Sequence, residues 1–119
     1  MSLAQPVIIP WDERTAHRHA TGFLHPFVNE KMGAQQLRLH VSVINPGEAP
    51  HAPHQHAGEE IIFLLEGTAE ALVGNDWKRF EAPSAVFCPE HIMHGVRNAG
   101  ETPLKYLVIR VPEGARANS

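Results

Sequence analysis

His54, His56, Glu60 and His94 are the residues of this chain best suited to chemistry. The first three lie in one run, His54-Gln-His56-Ala-Gly-Glu-Glu60, and the fourth closes Pro89-Glu-His91-Ile-Met-His94. Three imidazoles and a carboxylate form a complete ligand set for a borderline divalent metal. Imidazole suits Zn, Cu, Fe and Ni, and the carboxylate extends the range to Mn. On an octahedral ion, four protein ligands leave positions for water, dioxygen or substrate. On zinc, the same four would close a tetrahedron, a structural site unless the shell expands. Side chains two apart on an extended segment share a face, so His54 and His56 can aim at one point. Glu60 shares their parity, and Ala57-Gly58 permits a bend that brings it to the same centre. Glu59 has the opposite parity. His94 has to come from another strand. An isolated H-x-H is weak: His17-Arg-His19 repeats the spacing without a downstream carboxylate, and reads as surface, as does His25.

The elements that position these residues read as short strands. Ten prolines and nine glycines punctuate the whole chain, as an all-β fold requires. Gln35–Ile44 alternates, with Leu37, Leu39, Val41 and Val43 on one side and Arg38, His40 and Ser42 on the other. Which side faces inward is open. If it is the polar side, Arg38 and His40 could bind an anionic substrate. Further strands are expected over Glu60–Glu66, Thr68–Val73, Trp77–Glu81, Ser84–Cys88, Gly95–Asn98 and Leu104–Val111. Val7-Ile8-Ile9 suggests an edge strand, and Asp12–Ala20 could hold a turn of helix. No window carries a sustained helix. Eight or more such strands point to a sandwich or barrel.

Size and charge exclude some classes. The 119 residues suggest one domain. The boundaries expected are an N-terminal extension over 1–30, a barrel over 31–112 and a flexible tail over 113–119. A formal net charge of −3, with no basic stripe interleaved with aromatics, argues against nucleic acid as partner. The apolar run Ile61–Leu65 is too short to span a bilayer. No secretory signal is visible after Met1. Cys88 is the only cysteine, which suits a reducing cytoplasm, and it reads as a small buried residue.

The two runs together resemble the motifs of the cupin superfamily. The first family motif is Gly, five residues, His-x-His, three or four residues, Glu, six residues, Gly. Here it reads Gly47, six residues, His54-Gln-His56, three residues, Glu60, six residues, Gly67. The second is Gly, five residues, Pro-x-Gly, two residues, His, three residues, Asn. Here it reads Pro83, five residues, Pro89-Glu-His91, two residues, His94, three residues, Asn98. Pro83 and His91 replace glycines, and the first loop is one residue longer. Where the backbone still needs a positive φ at residue 91, histidine is strained.

The resemblance implies an all-β, cupin-type double-stranded β-helix, a jelly-roll barrel with little helix. It carries metal ligation to His54, His56, Glu60 and His94, with one divalent transition metal per chain (Fe, Mn, Ni or Zn). It also implies a homodimer, often formed by exchange of N-terminal strands. The leading expectation is a small-molecule metalloenzyme, dioxygenase-like in its oxidation or cleavage. One alternative is a redox-neutral isomerase, lyase or epimerase, with His91 as candidate acid or base. Another is a non-catalytic metabolite- or metal-binding module. A DNA-binding regulator is disfavoured, since residues 1–30 show no helix-turn-helix pattern.

Overall fold

The computed structural model describes residues 5–112; the tail expected over 113–119 lies outside them. Nine strands follow in order: β1 (His17–His19), β2 (Gly22–Val28), β3 (Arg38–Ile44), β4 (Glu60–Glu66), β5 (Thr68–Val73), β6 (Asp76–Glu81), β7 (Ser84–Cys88), β8 (Val96–Asn98) and β9 (Leu104–Arg110). Among the described residues the only helical pieces are the 3-10 turns Glu13–Thr15 and Glu30–Met32. One sheet has the order β1-β2-β3-β9-β4-β7 and the other β6-β5-β8. Every pairing is antiparallel.

The period-two alternation decides what fills the barrel. On β4, Glu60, Ile62 and Leu64 are buried while Ile61, Phe63 and Leu65 face out. Cross-strand partners share a face, so the register extends this inward set across the sheet. Ser42, Tyr106, Leu64 and Ser84 form one row, and His40, Val108, Ile62 and Val86 the next. Arg38, Arg110, Glu60 and Cys88 form a third. The polar side of β3 is therefore the inward side. Ile44, Ile62, Leu64, Ala69, Cys88, Val96, Leu104, Tyr106 and Val108 form the core between the sheets.

Asn98, the last residue of the second motif, is a structural staple. Its Nδ2 donates to the carbonyls of Ile44 (3.0 Å) and Thr102 (2.8 Å), and its Oδ1 accepts from the Gly100 N–H (2.9 Å). The end of β3 and the loop between β8 and β9 meet on one buried amide, which leaves none of these groups unsatisfied.

Two sequence expectations are corrected and one is met. Val7-Ile8-Ile9 is not a strand: Pro6 and Pro10 bracket it and remove two backbone donors. Asp12–Ala20 holds the expected helical turn, Glu13–Thr15, capped by the Asp12 side chain, and then runs into β1. His25 is not a surface residue, being only 1% exposed on the outer face of β2. The Trp11 ring stacks on it at 4.1 Å, and the Asp12 backbone N–H donates to its Nε2 at 2.8 Å. The segment before β1 thus covers the outside of the sheet. Pro26 hides β2 from sequence reading, and is tolerated because the register shifts there.

Candidate metal centre

Two loops are sewn together at the barrel mouth. His54 and His94 exchange backbone hydrogen bonds of 2.9 and 2.8 Å, an isolated antiparallel bridge. The His91 N–H donates to the His56 carbonyl at 2.7 Å, and the Gly58 N–H to Glu90 Oε1 at 2.9 Å. Gly58 makes the bend between His56 and Glu60 with φ 88°, and a Cβ there would lie 1.7 Å from the Val111 carbonyl oxygen. Only glycine fits. His91 holds φ 64°, the one positive φ outside glycine among the described residues. The backbone at residue 91 thus holds the left-handed conformation that the motif meets with glycine.

These loops bring the four sequence candidates to one point. His54, His56 and His94 each offer a ring nitrogen, all within 4.8 Å of one another. Glu60 Oε1 lies 3.3 Å from His56 Nε2, and Oε2 lies 3.5 Å from His94 Nε2. His56 Nδ1 faces the Ala57 carbonyl at 2.9 Å and His94 Nδ1 the Ile92 carbonyl at 3.0 Å. A carbonyl can only accept, so both Nδ1 atoms carry the proton and both Nε2 atoms present a lone pair in the neutral rings. Those Nε2 atoms are buried without a hydrogen-bond partner. Lone pairs turned toward a carboxylate repel one another, and a cation among them removes the conflict. The donor set fits a divalent transition metal.

The surroundings tune these groups. Burial, then the neighbouring histidines and Arg110, pushes His54 down to about 4. Burial and Arg110 do the same to His40. Both are neutral at neutral pH, the form a ligand needs. Cys88 lies close enough to Glu60 and His94 to offer an alternative group of donors. Its thiol is pushed up to about 11, first by burial and then by Glu60. His51 is exposed and stacks on His54 at 4.2 Å.

A cavity of about 360 Å³ opens over the site, with His54, Glu60 and His94 among its lining residues. Leu24, Ile62, Val96 and Val108 supply apolar wall, and His40, Ser42, Tyr106 and Arg110 supply polar groups. Tyr106, hydrogen-bonded to Ser42, is pushed up to about 12 by burial. His91 is exposed and does not line this cavity, and Arg38 turns to Glu30 at 3.4 Å instead. Sequence reading passed over Tyr106 and Arg110. Their common parity with Val108 on β9 was the available signal.

The comparisons agree with this architecture. A family model described as "Cupin domain" matches residues 40–110. No curated protein sequence matches the chain. Among solved structures, a predicted oxalate decarboxylase from Thermotoga maritima is similar with TM-score 0.79 at 17% identity, over 89% of this chain and 99% of that one. An RmlC-like protein with a double-stranded β-helix fold from Methanocaldococcus jannaschii is similar with TM-score 0.71 at 13% identity, over 90% and 91% of the two chains. The polyketide cyclase RemF from Streptomyces resistomycificus is similar with TM-score 0.69 at 21% identity, over 83% and 68%. At these identities the likeness is one of fold, the double-stranded β-helix.

Proposed function

This chain belongs to the cupin family, and we propose that it is a metal-dependent enzyme acting on a small molecule. His54, His56, Glu60 and His94 would hold one divalent transition metal. The observation that supports this reading is the pair of buried, unpartnered Nε2 lone pairs facing Glu60 beneath a cavity. When bound, such an ion supplies Lewis-acid polarisation and, if redox-active, access to dioxygen chemistry. The chain's own residues do the rest. The Ala57 and Ile92 carbonyls fix the ring orientations of His56 and His94. Leu24, Ile62, Val96 and Val108 give the ligand an apolar wall.

Dioxygenase-like oxidation or cleavage is the leading chemistry. The test is oxygen uptake by Fe(II)-loaded protein with a panel of catechol, flavonol, diketone and thiol. Uptake with one of them supports it; none with a fully loaded site counts against it. The Tyr106–Ser42 pair favours a second, redox-neutral reading as isomerase, lyase or epimerase. Tyr106 keeps its proton at neutral pH and could donate it, or a hydrogen bond, to oxygen that gains charge during the reaction. Anaerobic conversion of a substrate, with no oxygen consumed, would select that reading.

The active form would be a cytoplasmic homodimer. Ile61, Phe63, Leu65 and Phe87 leave an exposed apolar face outside β4 and β7, which a second copy could cover. Exchange of N-terminal strands would have to replace the β1-β2-β3 pairing found within the chain. Sedimentation equilibrium reads the mass directly, and a monomer at micromolar concentration would contradict the dimer.

A further inference from the structure

We propose that Arg110 is the anchor for a carboxylate group, so that the ligand of this cavity is a small organic acid. The proposal deepens the enzymatic reading and rests on it. Arg110 lies in the inward row between Arg38 and Glu60 and lines the cavity beside the candidate metal ligands. Its Nε is buried and has no hydrogen-bond partner. Other arginines of the chain are differently placed: Arg14, Arg38 and Arg97 each have a carboxylate within 3.4 Å. The one carboxylate that lines the cavity is Glu60, and its two oxygens are turned to His56 and His94.

A guanidinium is charged at every accessible pH, so Arg110 cannot relieve its position by losing a proton. With a divalent ion held by Glu60 and three neutral imidazoles, the pocket would carry positive charge at both the ion and Arg110. An anion answers that field. The planar fork of a guanidinium matches a carboxylate through two parallel hydrogen bonds. The apolar wall of Leu24, Ile62, Val96 and Val108 suits a short carbon skeleton more than a free inorganic ion. A volume of about 360 Å³ is at the small end of ligand pockets.

The test is calorimetric titration of Mn(II)-loaded and metal-free protein with acetate, lactate, pyruvate, oxalate and citrate. Lactamide serves as the neutral counterpart of lactate, and inorganic phosphate as the competing anion. At least one acid is expected to bind, and lactate, if bound, at least about tenfold tighter than lactamide. Arg110→Gln should lower acid affinity by about tenfold or more, with Arg110→Lys intermediate. Metal content and melting temperature, measured on both variants, should stay unchanged. Arg110→Lys keeps the charge, so it serves if Arg110→Gln does not fold. Binding of no acid, equal binding of lactate and lactamide, phosphate tighter than every acid, or full acid affinity in the variants would each overturn the anchor. Acid binding that depends on Arg110 in protein that binds no metal would sink the enzymatic reading and leave the anchor standing. Turnover of a neutral substrate by a fully active Arg110→Gln would do the reverse.

Discussion

At the residue scale, His91 and His40 show what the cavity mouth imposes on side chains. His91 sits at φ 64° because its N–H must reach the His56 carbonyl at the turn that delivers His94. An L-residue in that region is strained by about 1–2 kcal/mol, part of which a glycine gives back as lost backbone entropy. His91→Gly is therefore expected to raise stability in urea by about 0.5–1 kcal/mol without changing metal content. A loss of stability would mean that the His91 ring makes a contact more valuable than the strain it brings. His40 carries a different liability. Its folded pKa, about 4, lies below the unfolded value near 6.5. The unfolded chain thus binds the extra proton first, and stability falls as pH drops from about 6.5 to about 4. His40→Gln should flatten that part of the curve for metal-free protein, followed by melting temperature against pH. An unchanged slope would place the titration elsewhere.

At the element scale, strand period was legible in the sequence and strand context was not. β4, β5, β7 and β9 are short apolar-rich stretches bounded by proline or glycine, so their limits read directly. β2 escaped because Pro26 argues against a strand until the bulge beside it is known. The inward face of β3 could not be read either. Arg38, His40 and Ser42 are polar, yet they lie on the inward face, where His40 and Ser42 line a cavity that is itself partly polar, so hydrophobicity does not choose the side. Arg110 stayed hidden for the same reason. The ligand loops were legible because each position has a chemical or backbone requirement that survives without the fold. Gly58 must turn, His54 and His56 must converge, and Asn98 must join the ends of β3 and β9. Asn98→Ala removes three hydrogen bonds, one buried and two partly buried, and leaves the Ile44 carbonyl without that donor. It should cost about 2–3 kcal/mol in a denaturant melt. A change below about 0.5 kcal/mol would show that water replaces the amide freely.

At the scale of the whole molecule, two antiparallel sheets hold two separately encoded loops at one end of a barrel. The core of Ile44, Ile62, Leu64, Leu104 and Val108 lies beneath them, and the segment around Trp11 covers the outside. No single loop contains the centre; the bridge between His54 and His94 exists only when the barrel is closed. Metal binding should therefore depend on the fold, while the fold should survive loss of two ligands. Elemental analysis of purified wild type and of the His56→Ala/His94→Ala double variant, with circular dichroism on both, tests this most directly. The expected result is one divalent transition metal per wild-type chain and none in the double variant, with both barrels folded. Stoichiometric metal in the folded double variant, or a folded wild type that takes up none on incubation with Fe(II), Mn(II), Ni(II) or Zn(II), would contradict the assignment of this centre.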